Sequence, residues 1–213
     1  MSDQIQVSFS KARFLLHEGD VLLFRGQGIV SSFIKRAGEG QYSHVGVASR
    51  VKDFDGKHMW ECVEFREGRG GRSVNLERYV AGNDGIIDVF RPTKVRRYSE
   101  FDGTEVRERE ITFNGRRVTS CMRRMTGLPY GWRRILWIML HKLPFLRFLY
   151  PMGSLVDDSL NDEPIYPVCS TATAHCFASI GWDLTHHRAN QYMEPSDVAR
   201  SAILDYLFTL KMG

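Results

Sequence analysis

At 213 residues the chain is long enough for one domain with a full core, and a second complete domain would not fit comfortably beside it. Hydrophobic content of 43% and charged content of 25% are ordinary for a soluble globular protein. The net charge of +4 is mild but unevenly spread: arginine pairs at Arg96-Arg97, Arg116-Arg117, Arg123-Arg124 and Arg133-Arg134 make the middle third a candidate surface for an anionic polymer or a membrane, with no nucleic acid expected.

In chain order, Gly19-Asp20 turns into a short strand at 21–24. Residues 29–37 read as a helix closed by Gly38 and Gly40. An apolar, β-branched run at 43–49 and another strand at 58–65 form a hairpin around the polar turn 52–57. A turn follows at 68–71, and 74–80 leads into a short helix. Residues 86–90 make a strand stopped by Pro92, and 93–110 are charged and irregular, as expected of a surface connection. Helices are expected at 116–125 and 132–141, a polar acidic loop at 154–164, and a helix rich in small residues at 169–180, ended by Gly181. Ser196 opens a last short helix, and 203–210 form a terminal strand. Strands first and helices later, with an antiparallel hairpin, give an α+β domain.

Four cysteines, Cys62, Cys121, Cys169 and Cys176, fit no zinc-binding spacing, and no apolar stretch with a cleavage site opens the chain. The expectation is synthesis in a reducing cytoplasm with free thiols, followed by retention there, release by lysis or carriage in a virion. The stretch 135–152 is apolar and aromatic but broken by His141, Lys142, Pro144 and Arg147. Its uninterrupted runs fall far short of the ~18 residues of a spanning helix, so it reads as a buried helix, with an interfacial or substrate-facing helix as the alternative.

The chemistry lies in three segments. Gln41-Tyr42-Ser43-His44-Val45-Gly46-Val47 puts a histidine at the head of a strand, and Trp60-Glu61-Cys62-Val63-Glu64-Phe65 puts carboxylates on the next. Tyr166-Pro167-Val168-Cys169-Ser170-Thr171 puts a thiol at the mouth of a helix. The free N–H groups and dipole of a helix start favour a thiolate, and an imidazole can hold its proton. Cys62 and Cys176 read as core, and His58, His175, His186 and His187 as structural or exposed. Glu61 and Glu64 are an odd number of residues apart, so only one can face His44, and the pattern does not say which.

Five segments in register carry a resemblance: Gly19-Asp20-Val21-Leu22-Leu23-Phe24, Gln41 to Gly46, Val63-Glu64-Phe65, Val168-Cys169-Ser170 and Glu194-Pro195-Ser196-Asp197-Val198-Ala199. Together they resemble the YiiX-like, circularly permuted branch of the NlpC-type papain-like cysteine hydrolases, over 19 to about 201. The resemblance implies a permuted papain-like fold, in which an antiparallel sheet packs against the cysteine helix, with residues 115–152 as a basic-aromatic helical insertion in a single domain. It implies Cys169 as nucleophile, His44 as base and Glu64 as the third polar residue, with Tyr42, Tyr166 and Ser170 near the substrate. Phe65 and Thr171 depart from the family pattern, which bears on substrate more than on the triad.

The implied reaction is acyl transfer to water through a thioester, with no metal or organic cofactor. The first expectation for substrate is bacterial cell-wall peptide, cleaved by an amidase or endopeptidase of bacterial or phage origin. One alternative is a lipid-directed thioesterase or acyltransferase of the same fold. Another is a non-catalytic structural component, such as a part of a phage particle.

Overall fold

The computed structural model describes residues 5–25, 40–82, 86–101, 106–132, 167–184 and 193–211. In chain order the elements are β1 (Gln6–Ser8), α1 (Phe9–Leu15), β2 (Val21–Arg25), β3 (His44–Lys52), β4 (His58–Arg66), β5 (Gly70–Asn75), α2 (Leu76–Ala81), β6 (Ile86–Pro92), β7 (Val95–Phe101), β8 (Val106–Thr112), α3 (Gly115–Arg124), α4 (Cys169–Ala178), α5 (Pro195–Ala199) and β9 (Leu204–Lys211). Seven strands form one sheet in the order β1-β9-β6-β2-β3-β4-β5, and β7 and β8 pair separately. The expectation of a purely antiparallel sheet needs one correction: β1 runs parallel to β9, making the sheet mixed. The α+β class holds.

The central strands are buried on both faces. Alternation along β2 sends Val21 and Leu23 to one apolar cluster and Leu22 and Phe24 to the other. The first cluster is filled from α3 and α4 by Val118, Met122, Ala172 and Phe177. The second is filled from α1 and α2 by Ala12, Leu76 and Val80. On β4, Val63 and Phe65 face the α3–α4 side, and Trp60 and Cys62 the α1–α2 side.

Two local expectations give way. The stretch 93–110 is not irregular, since its two halves pair as the β7–β8 hairpin with Val95 opposite Thr112. Its described side chains at Val95, Arg97 and Glu108 to Glu110 are exposed, so no apolar alternation marks it in the sequence. The turn at 68–71 runs into a full strand, β5, which closes the sheet beside β4. The opening of the 115–152 segment belongs to the core layer: α3 buries Val118, Cys121 and Met122 against the sheet and α4. The helices expected at 29–37 and 132–141, the loop at 154–164 and the apolar stretch 135–152 lie outside the described residues, Trp132 excepted. Among the described residues no helix is long and apolar enough to cross a membrane.

Candidate active site

His44 is the first residue of β3, and Glu64 lies near the end of β4. The ladder pairs Gly46 with Glu64, so His44 and Glu64 are diagonal neighbours on the same sheet face. The His44 Nε2 and Glu64 Oε2 atoms stand 2.7 Å apart. Gly46 makes this approach feasible, because a Cβ there would run into the Cys62 sulfur and lie 3.3 Å from the Glu64 Cβ. Glu61 points the other way, accepting from Arg123 Nη2 at 2.6 Å and from the Ser73 hydroxyl at 2.6 Å.

Glu64 is completely buried, and an unpaired carboxylate there would cost several kcal/mol. Four groups compensate it. Besides His44, the Arg72 Nε and Nη2 atoms both donate to Oε1, at 2.7 and 2.5 Å. The Tyr79 hydroxyl donates to Oε2 at 2.8 Å, and the Cys62 thiol lies 3.9 Å from the same oxygen. Burial alone would raise the Glu64 pKa, but the His44 ring, Arg72 and Tyr79 outweigh it and hold the carboxyl down at about 2. Burial and the Glu64 charge push the Cys62 thiol well above its ordinary range, which leaves Cys62 an inert core residue.

Cys169 opens α4 and is 5% exposed. Thr171 folds back over this helix start, its hydroxyl accepting from the Val168 N–H at 3.0 Å. The N–H groups of Cys169, Ser170 and Thr171 precede the first intrahelical bond, from Ala172 N–H to Val168 O. The Cys169 sulfur favours the charged form of the His44 ring. Since Glu64 takes Nε2, Nδ1 is the ring nitrogen left for the thiol. Burial opposes a charged ring, yet the Glu64 carboxylate and the Cys169 sulfur push the His44 pKa up to about 10. The surroundings therefore favour the charged form of the ring, which lies between the Glu64 carboxylate and the Cys169 sulfur.

The structure adds two site neighbours that the sequence reading passed over. Tyr130 is buried in the same cluster as Cys169, and its pKa is raised by burial first and then by the Cys169 sulfur. Its loop is tied to the segment before α4 by a bond from Gly131 N–H to Pro167 O. Arg72 is the second. The run Leu128-Pro129-Tyr130-Gly131 is turn-like, and Arg72 sits directly across the ladder from Glu64; these were the available signals.

Three residues expected near substrate fare differently. Tyr42 is 4% exposed and its hydroxyl donates to the buried Asp88 at 2.7 Å, so it braces the sheet and offers no free hydroxyl. Asp88 also holds Arg25 and the Thr209 hydroxyl. Ser170 is buried with its hydroxyl donating to Met193 O, which ties α4 to the segment before α5. Tyr166 lies outside the described residues, as do His186 and His187. His58 is exposed at the start of β4.

The expectation of four free thiols is also corrected. Cys121 of α3 and Cys176 of α4 are joined as a disulfide, with Cα atoms 5.5 Å apart, leaving Cys62 and Cys169 free. The helices pack side by side, and a bond between residues 55 apart in sequence leaves no spacing signal.

No family model matches the sequence, and no curated protein matches it. Among solved structures, the fold is similar to that of a protein described as the metalloprotein yiiX from Escherichia coli O157:H7, DUF1105. The two are 13% identical, with a TM-score of 0.56 over 92% of this chain and 98% of that one. The chain thus has a YiiX-like α+β fold. Among the described residues no group of three or more His, Cys, Asp or Glu side chains is gathered to hold a metal ion.

Proposed function

We propose that this chain is a cysteine hydrolase of the permuted, NlpC-type papain-like kind, cleaving an amide or ester through a thioester on Cys169. The observation that carries the reading is the His44 ring, fixed at 2.7 Å by Glu64 on Nε2, with the Cys169 sulfur favouring its charged form. In the resting pair the thiol proton already resides on His44 Nδ1, giving a thiolate beside an imidazolium. The sulfur attacks the carbonyl carbon, and the oxyanion is received by first-turn N–H groups of α4. The imidazolium gives its proton to the leaving amine or alcohol as the tetrahedral intermediate collapses to a thioester. Neutral His44 then takes a proton from water, whose oxygen attacks the thioester and releases the acid and the thiolate. Glu64 keeps the ring in the required tautomer and orientation throughout and is not consumed.

The proposed substrate is bacterial cell-wall peptide. A cationic chain suits an anionic wall, and peptide amides are within reach of a thiolate with an acid ready for the leaving amine. The test is incubation with purified cell wall, followed by mass analysis of released fragments, with Cys169→Ala alongside. New amine and carboxyl termini released by the wild type alone support the reading. Equal release by both proteins removes Cys169 from the mechanism.

A further inference from the structure

Next to the Glu64 network the surface opens into a cleft of about 460 Å³, lined by Arg66, Arg69, Arg72 and Arg78 with Tyr79 and Asn75 among its walls. One compact stretch builds it. Arg66 ends β4, Arg69 sits in the turn, Arg72 lies on the edge strand β5, and Arg78 and Tyr79 come from α2. No carboxylate lines the cleft. Arg72 is neutralised by Glu64. Arg66 reaches the Tyr79 hydroxyl and lies over the Tyr79 ring, 5.6 Å from its centroid, which orients the guanidinium without cancelling its charge. Among the described residues no carboxylate pairs with Arg66, Arg69 or Arg78. Three uncompensated guanidinium groups around one concavity repel each other, and that repulsion is relieved by an anion.

We propose that this cleft binds a phosphate group carried on a larger molecule. A phosphomonoester brings close to two negative charges and three acceptor oxygens, which several planar guanidinium groups can engage at once, whereas a carboxylate satisfies one or two. The cleft is far larger than a bare phosphate and falls in the range of ~300–1,000 Å³ typical of small-molecule sites, so the rest of the ligand has room. Its inner wall is continuous with the proposed active site: Arg72 and Tyr79 line the cleft and also bond Glu64, which bonds His44. A phosphate held there lies two residues from the imidazole. The proposal goes beyond the hydrolase reading and is tested without turnover.

The experiment is calorimetric titration of the full chain with glycerol 3-phosphate and with inorganic phosphate, against sodium chloride of matched ionic strength. A parallel arm uses sedimentation with phosphatidylcholine vesicles doped with phosphatidic acid. The comparison protein is the double variant Arg69→Gln/Arg78→Gln, whose exposed side chains hold no part of the Glu64 network, so its fold is retained. Saturable binding of glycerol 3-phosphate, weakened about tenfold or more in the double variant (about 1.4 kcal/mol), supports the site and assigns a soluble phosphate. Binding only to the doped vesicles, lost in the double variant, supports the site and assigns a lipid headgroup. Equal binding by wild type and double variant, or no binding in either arm, overturns it. Cys169→Ala should bind as the wild type does, so a failed hydrolase reading leaves this result standing.

Discussion

Glu64 Oε2 lies 2.7 Å from His44 Nε2, while the same carboxylate takes both Arg72 donors on its other oxygen. One buried carboxylate thus stands between a ring at the site and a guanidinium in a solvent-facing cleft. Replacing it tests both sides. Glu64→Gln retains an acceptor for the ring but removes the charge, so hydrolysis should slow by at least ~10-fold, about 1.4 kcal/mol of barrier. Glu61→Gln, which serves Arg123 and Ser73, should hydrolyse at nearly the wild-type rate. Initial rates of both variants decide the matter; a large loss confined to Glu61→Gln would reverse the assignment.

Stability should follow pH through the same pair. The folded His44 pKa is raised from 6.5 to about 10, so its contribution is full below about 6.5 and is lost as pH rises through about 10. The folded Glu64 pKa is lowered from 4.5 to about 2, so its contribution is full above about 4.5 and is lost as pH falls through about 2. Both are one coupled interaction, counted once. Melting temperature against pH should therefore be flat between about 4.5 and 6.5 for this pair, with an alkaline limb that His44→Ala removes. An alkaline limb unchanged in that variant would contradict the pairing.

Tyr130 gives a third test. Its buried hydroxyl packs in the same cluster as Cys169, and a hydrogen bond from it to a thiolate formed in the reaction would be worth ~1.5–3 kcal/mol. Tyr130→Phe should slow alkylation of Cys169 near neutral pH by ~10-fold or more and leave the fold intact. Alkylation as fast as in the wild type would place the hydroxyl outside the chemistry.

The disulfide between Cys121 and Cys176 closes a loop with a sequence separation of 55. Cys121→Ser should lower unfolding stability by ~2–4 kcal/mol, read as a fall in the urea midpoint. A reductant should lower the wild-type midpoint by a similar amount and leave the variant unmoved. Identical midpoints with and without reductant would show that the bond is not formed in solution.

The residues with the sharpest chemistry were legible in the sequence, and the surroundings that tune them were not. His44 heads an apolar run and Cys169 follows Tyr-Pro-Val into a small-residue helix, so both could be read as placed at element ends. The choice between Glu61 and Glu64 could not be made by polarity, because both faces of β4 are buried. Val63 and Phe65 mark the α3–α4 side, yet the opposite side, where Cys62 and Glu64 lie, is just as dry. Alternation assumes one wet face, and β4 has none. The charged hairpin β7–β8 escaped for the converse reason: its described side chains are largely exposed, and only a rim such as Ile111 packs inward. Tyr42 was legible as a neighbour of His44 in sequence, but its partner Asp88 is 46 residues away, and only the fold brings them together.

The most direct test of the central claim is the rate of thiol alkylation in the native, non-reduced protein as a function of pH, followed residue by residue by mass spectrometry. Cys121 and Cys176 are bonded to each other, and Cys62 is buried with its thiol held protonated, so Cys169 is the only cysteine expected to react. The account predicts fast modification of Cys169 alone near neutral pH, slowed to the rate of an ordinary thiol by His44→Ala. Modification no faster than that of a simple thiol, or a rate indifferent to His44→Ala, would contradict it.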